Sequence, residues 1–127
     1  MTGISVIVAE DEGLIRLALN DLLESEGYNV ASAASGEAAL SLLHKASHPY
    51  AGLITDVRLG DGTDGWALAR QARNMMPEIC VVYLTGDSAA DWPVQGVPGS
   101  IVLQKPVVDV QLLAGISTLL QDRARLS

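Results

Sequence analysis

Residues 4–12 read Ile4-Ser5-Val6-Ile7-Val8-Ala9-Glu10-Asp11-Glu12, a short β-branched apolar run that stops at three consecutive acids. Val and Ile favour the pleated, buried setting of a strand, and an abrupt polar stop marks where such a strand leaves the core. The run predicts a first strand over 4–9 ending in an acidic loop. From Leu14 the apolar residues Ile15, Ala18, Leu19, Leu22 and Leu23 recur at helical spacing until Gly27 stops the pattern. The strand and helix pair then repeats. Residues 28–33 predict a second strand, Ser35 is placed to cap a helix burying Ala39, Leu42 and Leu43, and 51–55 predict a third strand ending at Asp56. A Gly-rich loop over 60–65 leads into a helix through Trp66, Leu68, Ala69 and Ala72, which Pro77 ends. Residues 79–84 predict a fourth strand that stops at Thr85, Gly86 and Asp87. Residues 101–103 predict a fifth strand ending at Lys105 and Pro106, and the stripe Leu112, Leu113, Ile116, Leu119 and Leu120 predicts the last helix.

Between the last two strands, Pro93, Gly96, Pro98 and Gly99 interrupt any helix, which is expected to be short and to end before Pro93. Strands alternating with helices imply right-handed crossovers and a five-stranded parallel sheet covered on both faces, an α/β fold. With 127 residues the chain is expected to form one domain over 1–127. The polar clusters at Glu10 and Asp11, at Asp56, at Thr85 and at Lys105 all fall at carboxyl ends of strands, the edge where open α/β sheets bind ligands.

Apolar residues make up 49% of the chain against 18% charged, which argues for a packed interior. No apolar run approaches the roughly 20 residues of a membrane span, and no basic segment leads into an apolar stretch and cleavage site, so a cytoplasmic protein is expected. The net charge of −7 and the scattered basic residues exclude direct nucleic-acid binding. The single Cys80 lies in an apolar run and is expected to be a buried, inert thiol.

Carboxylates from two strand ends repel unless a cation sits between them, and hard oxygen ligands suit Mg²⁺. Lys105 offers a compact positive charge and Thr85 a hydroxyl, the groups needed to hold the other oxygens of a transferred phosphoryl group, with Asp56 as nucleophile. Each residue alone has a plainer explanation: Glu10 and Asp11 as charges near a helix N-terminus, Asp56 and Thr85 as caps. The functional reading rests on their combination at successive ends of one sheet edge.

The whole chain resembles the receiver domains of two-component response regulators. The resemblance is carried by Val8-Ala9-Glu10-Asp11-Glu12, by Leu53-Ile54-Thr55-Asp56-Val57 with Gly65 downstream, by Leu84-Thr85-Gly86 and by Gln104-Lys105-Pro106. It implies a flavodoxin-like (βα)5 three-layer sandwich whose fourth helix is short or irregular here. It implies a signalling switch and not an enzyme, phosphorylated on Asp56 by a histidine kinase or phosphotransfer protein and taking part in its own phosphorylation and dephosphorylation. Asp11 and Asp56 would contact Mg²⁺ directly, Glu10 through water, and the backbone carbonyl of Arg58 would be a further ligand. Thr85 would move toward the phosphoryl group, Lys105 would pair with it, and Gly86 would leave it accessible. Arg58 and Asp87 occupy positions that tune dephosphorylation in the family. Paired across the opening, they would hinder an attacking water and slow phosphate loss.

The sequence also departs from the family. Val102 stands three residues before Lys105, where receivers carry the Tyr or Phe that swings inward. Phosphorylation is therefore expected to reorder residues 88–99 themselves, exposing or burying Trp92. Trp92 is either a partner contact or a plug for the core beneath a short helix. Trp66, Met75 and Met76 read as packing, and His44 and His48 as surface residues. The charged stretch Gln121–Ser127 leaves no room for an output domain, so a stand-alone switch signalling to a protein target is expected, with Met1 in keeping with an intact product; a piece excised from a hybrid kinase or longer regulator is the alternative. A phosphate sink, a phosphorylation-independent adaptor and a homodimer through the last strand and helix stay open. A Mg²⁺-dependent aspartyl phosphatase would need an acid where Arg58 stands, and no glycine-rich nucleotide loop follows the first strand.

Overall fold

The computed structural model describes residues 3–126, with side chains as far as Arg123. The strands are β1 (Ser5–Ala9), β2 (Asn29–Ala33), β3 (Gly52–Asp56), β4 (Cys80–Thr85) and β5 (Ile101–Gln104). The helices are α1 (Gly13–Ser25), α2 (Gly36–His44), α3 (Gly65–Met75), α4 (Trp92–Gln95) and α5 (Asp109–Leu126). The strands form one parallel sheet in the order β2-β1-β3-β4-β5. This is the flavodoxin-like order, in which the chain reverses its direction of winding at β1 and β3 and opens a crevice beyond their carboxyl ends.

The inner strands are apolar at nearly every position because both faces are covered: β3 and β4 are buried from end to end. Alternate residues supply two cores. Ile7, Leu53, Val81 and Tyr83 pack with Leu43, Trp66 and Leu68 beneath α2 and α3, while Val6, Val8, Ile54 and Val82 pack with Leu23, Leu112 and Ile116 beneath α1 and α5. Each such side chain stabilises the fold by roughly 1.5–3 kcal/mol relative to exposure. Cys80 is buried within the second core, as read from its apolar neighbours.

Local chemistry sets the element ends. Gly27, at φ +92°, follows the end of α1, a backbone conformation that costs a side chain more than glycine. Ser35 accepts a hydrogen bond from the Ala38 N–H at 3.0 Å and caps α2, as its position implied, and Asp64 caps α3 from the Ala67 N–H at 2.8 Å.

Two expectations are corrected. The chain between β4 and β5 forms a 3₁₀ turn, Ala89–Asp91, that runs into α4, so the helix passes through Pro93 and does not end before it. Inside a helix proline lacks an N–H and its ring clashes with the carbonyl four residues back, but in the first turn that donor has no intrahelical partner and there is no preceding α-helical turn to clash with. The stretch expected as a tail is the last part of α5, which continues to Leu126; Met1 and Ser127 lie outside the described residues.

Candidate functional site

The ends of β1, β3 and β4 and the residue after β5 converge at the crevice. Beyond the sheet proper the backbone continues to tie them: Glu10 N–H donates to the Ala33 carbonyl at 3.0 Å, Val57 to Leu84 at 3.0 Å and Lys105 to Thr85 at 2.8 Å. Gly65 allows the β3–α3 loop to close over the site, because a Cβ there would fall on the Asp56 carbonyl oxygen.

Glu10, Asp11 and Asp56 each direct a carboxylate oxygen into one space, with those oxygens all within 4.8 Å of one another. Glu10 and Asp56 are buried and Asp11 is exposed. Lys105 Nζ lies 2.9 Å from Asp56 Oδ2 and 3.4 Å from Glu10 Oε1. Burial pushes the Glu10 carboxyl up to about 7, the Glu12 N–H opposes this, and Asp56 and Asp11 add to the rise. For Lys105 burial works against the charge, but the hydrogen bond and charge of Asp56, with those of Glu10, outweigh it and raise the ammonium above its ordinary range. Three acids thus face one ammonium in a partly desolvated space. Such a donor set fits a hard divalent cation such as Mg²⁺, which takes one or two protein carboxylates and completes its shell with other oxygens.

The mouth is a cavity of about 320 Å³ lined by Asp56, Arg58, Thr85, Gly86, Asp87 and Lys105. A Cβ on Gly86 would meet nothing within 4 Å, so this side is open. Arg58 and Asp87 pair across the opening, Nη2 to Oδ2 at 2.8 Å and Nε to Oδ1 at 3.1 Å, and the Arg58 hydrogen bond, helped by Ser88, holds the Asp87 carboxyl below its ordinary range. Thr85 turns its hydroxyl to the β4–α4 loop, where Oγ1 accepts from the Ser88 N–H at 2.9 Å and the Asp87 N–H at 3.3 Å.

Val102 sits half-buried on β5, in register with Tyr83 of β4. Trp92 is half-buried, packs against the core beneath α3 and donates its indole N–H to Ser100 Oγ at 3.0 Å, the arrangement of a plug for that core. Trp66 is buried against Tyr83, Met75 and Met76 pack against the same core, and His44 and His48 are exposed.

Several participants escaped the sequence reading. Arg16 Nη1 donates to the Glu10 carbonyl at 2.9 Å and fixes the loop carrying the acids. Glu37 accepts from the Thr63 N–H at 2.8 Å and clamps the β3–α3 loop. Arg70 and Arg73 reach from α3 to the Gln95 and Pro98 carbonyls at 3.3 and 2.6 Å. Tyr83 lies two residues before Thr85, a spacing that places both on one face of a strand, and this was the one signal available in the sequence. Beside the acids, an apolar groove of about 640 Å³ runs between α1 and the start of α5, lined by Leu14, Ile15, Ala18, Leu84, Pro106 and Val107 among others.

Known proteins match this arrangement. The family model described as the response regulator receiver domain matches residues 6–117. The response regulator receiver protein CpdR of Brucella abortus is 32% identical over 84 residues, 66% of this chain and 68% of that protein. The transcriptional regulatory protein CssR of Bacillus subtilis is 29% identical over 92% of this chain, which spans only 51% of the length of CssR. A solved response regulator receiver protein from Sinorhizobium medicae superposes with a TM-score of 0.91 at 34% identity, covering 96% of this chain and 98% of that one. Among the described residues no helix is long and apolar enough to cross a membrane. The acids at the strand ends, the lysine that joins them and the order of the sheet thus stand in a chain that belongs to the response regulator receiver domain family.

Proposed function

We propose that this protein is a cytoplasmic phosphoryl acceptor of a two-component system, in which Asp56 takes the phosphoryl group of a phosphohistidine on a kinase or phosphotransfer protein and the modified form changes its protein contacts. The observation that carries this reading is Lys105 Nζ at 2.9 Å from the Asp56 carboxylate, inside the cluster that also holds Glu10 and Asp11. An Asp56 oxygen forms the new bond to phosphorus as the donor's nitrogen–phosphorus bond breaks, leaving an acyl phosphate on the chain. Lys105 is placed to pair with a phosphoryl oxygen, and Thr85, in the wall of the same cavity, would turn its hydroxyl from Ser88 toward that group.

Glu10, Asp11, Asp56 and the Arg58 carbonyl would hold Mg²⁺, which supplies charge neutralisation for the incoming oxygens. The groove beside Lys105, with Leu14 85% exposed at its rim, suits an apolar stripe of a partner helix that would bring a histidine to Asp56. Arg58 and Asp87 would obstruct an attacking water and prolong the life of the acyl phosphate.

Acetyl phosphate with Mg²⁺ supplies the test, read by intact mass. The parent is expected to gain one phosphoryl group, and Asp56→Asn, or the parent with a chelator, is expected to gain none. A parent that stays unmodified with Mg²⁺ present overturns the reading. Trp fluorescence and amide exchange over residues 88–99 follow the output: no change there on modification would refute a reordering of that segment.

A further inference from the structure

The short segment between β4 and β5 is tied to one face of β4 at both of its ends. Near its start, the Ser88 N–H donates to Thr85 Oγ1 at 2.9 Å. Near its close, the Val97 N–H donates to the Tyr83 hydroxyl at 3.1 Å. Thr85 and Tyr83 are two residues apart, so both side chains leave the strand on the same side.

The two ties differ in what they are free to do. Under the function proposed above, on which this inference rests, the Thr85 hydroxyl must turn to a phosphoryl oxygen. An oxygen that accepts from Ser88 in one rotamer loses that bond in the other. Tyr83 has no such freedom: it is wholly buried, and its ring lies 4.5 Å from that of Trp66. Burial pushes its phenol above the ordinary range, which keeps the hydroxyl protonated. Val97 is buried with it. Past Val97 the chain is held again, by Arg73 on the Pro98 carbonyl and by Ser100 Oγ on the Val97 carbonyl. Ahead of it stands Gly96, whose missing Cβ is the space the Trp92 indole occupies, so a turn of the chain at Gly96 displaces the indole.

We propose that residues 88–95 form a lever whose latch is the Thr85–Ser88 bond and whose fixed post is the Tyr83–Val97 bond, with Gly96 as the hinge between them. Tyr83 lies beside Val102 in the sheet, so an aromatic ring is present next to the position where the rotating ring of other receivers is missing. Here it anchors and does not swing. Phosphorylation opens the latch, residues 88–95 turn about Gly96 with loss of the Trp92–Ser100 and Arg70–Gln95 bonds, and residues 97–100 stay in place.

Residue-resolved amide exchange on the full chain, with and without Mg²⁺ and beryllofluoride, tests this in the parent, in Tyr83→Phe and in Thr85→Ala. In the parent, the mimic is expected to speed Ser88 exchange by about tenfold or more while Val97 changes less than about twofold. Tyr83→Phe keeps the ring and removes only the hydroxyl; Val97 is expected to exchange about tenfold faster before any addition, and the mimic then to loosen 97–100 as well. Thr85→Ala, with nothing added, is expected to free Ser88 and leave Val97 protected. Val97 accelerating together with Ser88 in the parent, or a parent-like Val97 in Tyr83→Phe, overturns the post. The two readings fail separately: an unmodified mass with acetyl phosphate removes the phosphoryl acceptor, whereas the two variants compared without reagent still decide whether the ties exist.

Discussion

The crossovers after β3 and after β4 flank the same site and are held in opposite ways. The first is held by packing: α3 buries Trp66, Leu68, Ala69 and Ala72 against the sheet. The second has a 3₁₀ turn and a four-residue helix with no fully buried side chain; beyond Trp92 and Val97, which pack against the core, it is held by hydrogen bonds to the Tyr83 and Thr85 hydroxyls and from Arg70 and Arg73. Apolar burial is lost gradually and without direction, while a hydrogen bond is lost in one rotation. A segment held by a few such bonds is therefore suited to switch, and one held by packing is suited to keep the acids in place.

The sharpest way to break this comparison is to truncate a side chain in each crossover. Leu68→Ala is expected to cost about 2–5 kcal/mol, read from the urea midpoint, because the cavity it leaves is fully enclosed. Val94→Ala, at a position 87% exposed, is expected to fall within about 0.5 kcal/mol. Equal costs would mean that the second crossover also depends on packing.

The sheet edge that both crossovers flank also carries buried charge, which makes stability depend on pH. Unfolded, the Glu10 carboxyl ionises near 4.5; folded and free of metal it keeps its proton to about 7. Between these values the native state binds more protons than the unfolded one, so stability falls as pH rises. The loss from pH 5 to pH 8 is expected to be on the order of 2–3 kcal/mol in chelator, to shrink when Mg²⁺ is added, and to vanish in Glu10→Gln. A flat profile in the parent would show that Glu10 is not desolvated as described.

On the side held by hydrogen bonds, Arg73→Ala removes donors to the Ile79 and Pro98 carbonyls and is expected to cost about 1–2 kcal/mol, with amide exchange rising over 97–100 before it rises in α3. Uniform loosening of both crossovers would dissolve the distinction between them. The smallest effect is kinetic. The double variant Arg58→Ala with Asp87→Ala is expected to lose phosphate a few-fold faster than the parent, followed by intact mass after removal of the donor, since the pair bridges the mouth but does not touch Asp56. An unchanged rate would count against the pair as a barrier.

Much of the fold was legible because burial on both faces writes itself into the chain as continuous apolar runs. The runs at 4–9, 51–55 and 79–84 gave the three inner strands to within a residue, and the Leu and Ile stripes gave α1 and α5. The breaking of the fourth helix was readable from Pro93, Gly96, Pro98 and Gly99, but its boundaries were not, because proline is harmful inside a helix and harmless in its first turn. The candidate site was legible in residue types at strand ends. The pairing of Arg58 with Asp87 followed from their flanking positions, whereas Arg16, Glu37, Arg70 and Arg73 look in sequence like ordinary charges on helix surfaces.

The sequence by itself determined the alternation of strands and helices, the acids and the lysine at the carboxyl edge, and the weakness of the fourth crossover. These depend on periodicity and residue type, which are properties of a single chain segment. Only the tertiary structure decided which groups hold which: that the Thr85 hydroxyl is turned to Ser88, that Tyr83 reaches Val97, and that Lys105 joins Asp56 and Glu10. Those pairings depend on strand register and on where separate elements cross, and a hydrogen bond tolerates an error of only a few tenths of an ångström.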